Sequence, residues 1–167
     1  MNILFACHRL PYPPMRGGKI RPFNIIKHFS EQGHRVTVGS LARSAEELAA
    51  GQGLLNHCEK LLVGRIGKLS AAAQMIACLP TLSPSSMGYF YSRELHRLMR
   101  AEIHHGGYDM VFVHCSSAAQ YVREANGIPS ILDFGDMDSR KWLDYSSFKP
   151  QPLATGYWLE GAKLGRA

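Results

Sequence analysis

Two stretches carry side chains able to hold or move charge. In Arg16-Gly17-Gly18-Lys19, with Arg21 just after, paired glycines let backbone approach a ligand closely and three cations stand beside what reads as a helix start. An anionic group, phosphate above all, suits such a loop; the competing reading is a flexible turn with solvated cations. The second stretch is His114, which ends the apolar run Tyr108-Asp109-Met110-Val111-Phe112-Val113 and precedes Cys115-Ser116-Ser117. An imidazole there can accept or donate a proton near pH 7, though a histidine at a strand end is also often a hydrogen-bonded core residue.

A third set, Asp133, Asp136 and Asp138, follows the run Ser130-Ile131-Leu132. Asp136-Met137-Asp138 has the D-x-D spacing used by metal-dependent sugar-nucleotide enzymes, but three residues match by chance, and an N-cap on the helix containing Trp142 is the simpler expectation. His104 and His105 are adjacent, point to different sides of a helix, and make a poor metal pair. No metal is expected.

These residues need a scaffold, and the opening third of the chain describes it. Asn2-Ile3-Leu4-Phe5-Ala6-Cys7 is apolar without alternation, as in a strand buried on both faces of a parallel sheet, and it is expected to be central. Pro11, Pro13 and Pro14 then enforce a loop. From Lys19 the apolar spacing becomes helical, with Pro22 expected in the first turn, and Gly33 closes the helix before the β-branched strand Val36-Thr37-Val38. The unit is βαβ with a right-handed crossover.

Further elements are expected in order. They are a short helix from Ser44, a strand over 59–63, and an Ala-rich helix over 69–79 packed on the sheet. A helix capped by Ser92 buries Leu95, Leu98, Met99 and Ile103. The strand ending at His114 comes next, then a helix over 118–125, a strand over 129–134, and helices containing Trp142 and residues 157–167. The fold class is therefore α/β, a three-layer αβα sandwich with a mostly parallel sheet. In such a sheet ligands bind at the carboxyl ends of the strands, where the Gly17-Gly18 loop and His114 should meet.

At 167 residues the chain fits one domain with a proper core. Its net charge of +6 is dispersed without a basic block, so nucleic acid is not an expected partner, while anionic lipid surfaces or phosphorylated substrates are compatible. The four cysteines are scattered with no C-x-x-C, which fits reduced thiols in a cytoplasmic setting. Neither a basic leader nor an apolar run of ~18 residues is present, so neither a signal peptide nor a membrane span is expected.

Several of these segments together resemble a family. Met1-Asn-Ile-Leu-Phe, Pro11-Tyr-Pro-Pro-Met-Arg-Gly-Gly18, Glu31-Gln-Gly-His-Arg-Val-Thr-Val38 and Asp109-Met-Val-Phe-Val-His114 resemble the N-terminal half of GT-B-fold glycosyltransferases of family 4. Asp133-Phe-Gly-Asp-Met-Asp-Ser-Arg-Lys-Trp142 is similar to the subgroup found with exosortase-linked exopolysaccharide systems. The resemblance implies one Rossmann-like acceptor-side domain over 1–167, cut before a donor-binding domain that carries an E-x7-E pair. It also implies retaining transfer of a sugar from a nucleotide-sugar to a lipid-linked or saccharide acceptor with no required cofactor, and contact with the inner face of a membrane. By similarity Gly17 and Gly18 approach the donor diphosphate, Arg16 and Lys19 neutralise phosphate, His114 sits beside the reacting sugar, and Asp133 and Asp136 shape the acceptor side.

The nearest enzyme alternative, a dinucleotide-dependent oxidoreductase, lacks its G-x-G-x-x-G after the first strand and an acidic residue ending the second. A serine hydrolase lacks the G-x-S-x-G elbow. The competing class is a non-catalytic nucleotide- or phosphate-binding regulatory module; a receiver-type one would place acidic residues where this chain has Cys7-His8-Arg9.

Overall fold

The computed structural model describes residues 1–166. Five strands, β1 (Asn2–Cys7), β2 (Arg35–Ala42), β3 (Lys60–Arg65), β4 (Met110–His114) and β5 (Ser130–Asp133), form one sheet in the order β3-β2-β1-β4-β5. Every pairing is parallel. The chain is thus an α/β, Rossmann-like sandwich with β1 at its centre, as its uninterrupted apolar run requires.

Alternation along β1 divides the core in two. Ile3, Phe5 and Cys7 pack with Ile26 of α1 (Gly17–Glu31) and with Leu54. Leu4 and Ala6 pack on the other face against Leu95, Met99 and Ile103 of α5 (Arg93–His105). Ser92 caps α5 as expected, its hydroxyl accepting the Leu95 N–H at 3.4 Å. Ser44 does the same for α2 (Ala45–Gly51), accepting from Glu47 at 3.1 Å.

Four local expectations need correction. Pro22 lies in the second turn of α1, because the helix starts at Gly17, so the Gly18 carbonyl lacks its usual donor there. The helix α3 (Lys68–Ala77) buries only Ala71 and packs chiefly on the short α4 (Ser85–Tyr89) rather than the sheet, leaving Leu69 and Ile76 exposed. After β4 the chain makes a 3-10 turn, Ser116–Tyr121, where a helix was expected; Cys115 enters it at φ 73, and Gln120 caps the Ser117 carbonyl from its side chain. Lastly, the C-terminal helix has a partner: α6 (Asp138–Phe148) and α7 (Leu153–Leu164) form a tightly crossed hairpin. Among the described residues no helix is long and apolar enough to cross a membrane.

Candidate functional site

Parallel register aligns the carboxyl ends of the three strands at the point where strand order reverses. Cys7 lies beside His114, and His114 beside Asp133. Alternation from Phe112 turns His114 to the α1 side of the sheet, where it is 4% exposed. Its Nδ1 is 3.0 Å from Asp133 Oδ2. The other carboxylate oxygen accepts from Arg21 Nη2 at 2.8 Å and from the Gly135 N–H at 3.2 Å.

Burial by itself would raise the Asp133 carboxyl. The hydrogen bond to His114, the Gly135 amide and the Arg21 charge outweigh it and hold the group below the usual carboxylate range. An ionised carboxylate only accepts, so the shared proton resides on Nδ1. No hydrogen-bond partner for Nε2 exists among the described residues. Asp133→Asn removes the obligate acceptor; ring ¹⁵N shifts of His114 should then move from a single Nδ1–H tautomer toward a mixture. Unaltered shifts would show that the carboxylate does not set the tautomer.

The ends of β1, β4 and β5 open on a cavity of about 840 Å³ that Gly17, Gly18, Arg21 and His114 all line. The paired glycines and the imidazole therefore share one chamber. Open space surrounds Gly17 and Gly18, and their N–H groups make no backbone hydrogen bond. Arg16 holds the N-cap position of α1, exposed and off the cavity wall. Lys19 is turned away into an ion pair with Glu47 at 2.8 Å, so the expectation that it meets a ligand phosphate does not fit its placement. Asp136 is on the wall, bound with Asp138 to Lys141 at 3.3 and 3.4 Å. Neither aspartate caps α6; its N-cap is Met137, and Asp138 lies in the first turn with Ser116 Oγ donating to it at 3.3 Å. Among the described residues no three His, Cys, Asp or Glu side chains converge as metal ligands do.

Three contributors escape the sequence reading. His8 follows β1 into the cavity, its ring edge-on to Phe90 at 4.6 Å and its Nδ1 buried without a partner. Burial, then the charges of Arg9, His114 and Arg43, push its pKa down to about 3. The residue's position straight after the first strand was a usable signal. Tyr89, the last residue of α4, and Phe90, its C-cap, form a floor over which Arg43 lies at 5.4 and 5.5 Å from the two ring centres. Finally, α7 closes one side: Glu160, 8% exposed, accepts the Ser85 and Ser86 N–H groups at 2.6 and 2.8 Å, and Lys163 donates to the carbonyls of Cys78 and Leu79. Both contacts span about eighty residues of chain, which no local pattern reveals.

Thiol chemistry is disfavoured. Burial pushes both Cys7 and Cys115 up to about 12, so neither offers a thiolate near neutrality. Cys115 nevertheless holds a left-handed backbone beside the crevice, a strain of the kind that gathers at functional sites. Compared with known proteins, the chain matches no family model, no curated protein and no solved structure.

Proposed function

We propose that this chain is the acceptor-side half of a retaining glycosyltransferase, moving a sugar from a nucleotide-sugar to a lipid-linked or saccharide acceptor in exopolysaccharide assembly. The observation that carries the reading is the single cavity joining the Gly17–Gly18 amides to the Asp133-backed imidazole. The resemblance of the Pro/Gly loop and of the segment around Asp133 adds to it.

Breaking a sugar–phosphate bond requires the departing diphosphate to be stabilised. Free amides at the start of a 15-residue helix supply fixed positive potential without reorganisation. Arg21 adds charge on the same wall, although its own partner is Asp133. Nε2 of His114, on the side of the ring that Asp133 leaves free, is placed to hydrogen-bond a sugar hydroxyl. Asp133 acts as a positioning residue through that ring, the step its sequence position alone left unassigned. A half-cleft excludes water incompletely, so the 167-residue chain should bind without turnover.

Thermal shift tests the reading. A nucleotide-sugar or a phosphate-bearing acceptor analogue should raise the melting temperature, by an amount equivalent to about 2.7 kcal/mol at a hundredfold excess over Kd. Gly18→Ala adds a β-carbon that meets no neighbour within 4 Å, so it should not lower the unliganded melting temperature while weakening that shift. Stabilisation by NAD alone would favour an oxidoreductase, and by magnesium with acetyl phosphate a receiver-type module. Measurable sugar transfer by the chain alone would refute the half-enzyme part of the proposal.

A further inference from the structure

Two guanidiniums at the carboxyl edge of the sheet have no part in the site described above. Arg9 stands two residues past β1 and Arg43 directly past β2, so the parallel pairing of these strands delivers both to that edge. Lys19, Arg21 and Lys141 each have a carboxylate partner. Among the described residues Arg9 and Arg43 have none, and Arg43 donates only its backbone N–H, to Glu47 at 2.9 Å. What holds the two side chains is aromatic instead. Arg43 lies over Tyr89 and Phe90, and Arg9 lies 6.0 Å from the same Phe90 ring centre. A guanidinium stacked on a ring uses its flat face and keeps its N–H donors, which lie in its plane, for a partner. Phe90, the ring common to both, lines the chamber with Tyr89 and Arg9. His8 meets that ring edge-on at 4.6 Å, its Nδ1 is buried with no hydrogen-bond partner, and the charges of Arg9 and Arg43 both bear on it. A buried polar atom left unpaired carries a free-energy cost that a ligand group can offset.

The geometry points to a second anion subsite, separate from the α1 amides: Arg9 and Arg43 hold a carboxylate or phosphate group of the molecule that enters the chamber, and His8 Nδ1 meets one of its hydroxyls. A neutral sugar leaves both forks empty. An acidic one makes charge-assisted hydrogen bonds to them, bidentate where the fork matches its oxygens. The acceptor is then an acidic saccharide, a hexuronate or a sugar phosphate. That word acceptor rests on the glycosyltransferase reading, but the subsite does not. It is built where the chain leaves β1, β2 and α4, and it uses none of Gly17, Gly18, His114 or Asp133.

The test titrates glucuronate, glucose 6-phosphate and glucose into the 167-residue chain at neutral pH and one ionic strength, with affinity read by calorimetry. At least one acidic sugar should bind about tenfold or more tightly than glucose and should shift the His8 ring resonances. Arg9→Gln and Arg43→Gln should each remove most of that advantage, and Arg43→Lys, which keeps the charge but not the fork, should fall between them and the parent. Arg97→Gln removes the same charge from an exposed position of α5 off the cavity and should bind as the parent does. All three arginines are exposed, so the unliganded melting temperature should change little in any of these variants. Dependence on Arg9 and Arg43 for glucuronate alone assigns the subsite to a carboxylate, for glucose 6-phosphate alone to a phosphate, and for both to either group. Equal affinity for the three sugars overturns the inference. So does a loss as large in Arg97→Gln, which marks attraction to net positive charge. Weakening by Gly18→Ala with both glutamine variants unaffected overturns it too, since the anion would then sit on the α1 amides. If acidic sugars bind through Arg9 and Arg43 but no nucleotide-sugar stabilises the chain, the transferase reading fails and the subsite remains. If a nucleotide-sugar stabilises the chain and no acidic sugar is preferred, the reverse holds.

Discussion

Between pH 7 and pH 4 the chain should lose about 3 kcal/mol of unfolding free energy through one residue, and His8→Phe should recover most of that loss. In the folded chain the His8 imidazole stays neutral down to about pH 3, against its usual 6.5. Burial is the main cause, and Arg9, His114 and Arg43 add like charge around it. Because the folded pKa is depressed, the unfolded chain binds the extra proton first as pH falls. The contribution is complete above about 6.5 and disappears progressively toward 3, with a slope of up to ~1.4 kcal/mol per pH unit.

Phenylalanine keeps the edge-on contact with Phe90 and removes both the titration and the unpartnered Nδ1. At pH 7 the variant should therefore be as stable as the parent or about 1 kcal/mol more so, since an unsatisfied buried acceptor is lost. Urea unfolding of both chains at pH 7, 5.5 and 4 decides it. Parallel curves would mean that His8 is protonated in the folded state and that the chamber is wetter than its geometry indicates.

The second large effect is expected at Gly161. A β-carbon there would stand 2.8 Å from Leu143 Cγ, 2.9 Å from the Ser139 carbonyl oxygen and 3.0 Å from the Leu143 nitrogen. Two of the three neighbours are backbone, so they cannot move aside without separating α6 from α7. Gly161→Ala should cost about 1–3 kcal/mol, reversing the gain that alanine normally brings to a helix interior. Gly156, in the same helix, has nothing within 4 Å, and Gly156→Ala should stabilise by up to about 1 kcal/mol. Since α7 packs on α6, Gly161→Ala should also speed proteolytic cleavage between residues 134 and 152. A Gly161→Ala chain as stable as the parent would show that the helix crossing is looser than these distances imply.

The elements were legible wherever local physics decides them. β1 announced a doubly covered central strand through its unbroken apolar run, and α1, α2 and α5 announced themselves through period, caps and a positive-φ glycine at 33. Parallel topology followed from the strand–helix–strand alternation. The meeting of Gly17–Gly18 with His114 was legible too, because parallel strands place all their carboxyl ends at one edge of the sheet. The helix expected over 118–125 was not, because the left-handed Cys115 and side-chain capping by Gln120 shorten that segment to a 3-10 turn.

What sequence alone determined is the fold class, the central strand and the edge of the sheet on which chemistry gathers, since each depends on residues near one another along the chain. Tertiary structure alone decided that Asp133 backs His114 and binds Arg21, that Lys19 belongs to Glu47, and that His8 is held neutral. It alone decided as well that α7 returns to wall the chamber. For the paired groups the reason is common, while His8 is held neutral by burial that only the packed chamber supplies. A charge or a hydrogen-bonding group finds its partner by proximity in space, and contacts between residues 19 and 112 positions apart leave no periodicity to read.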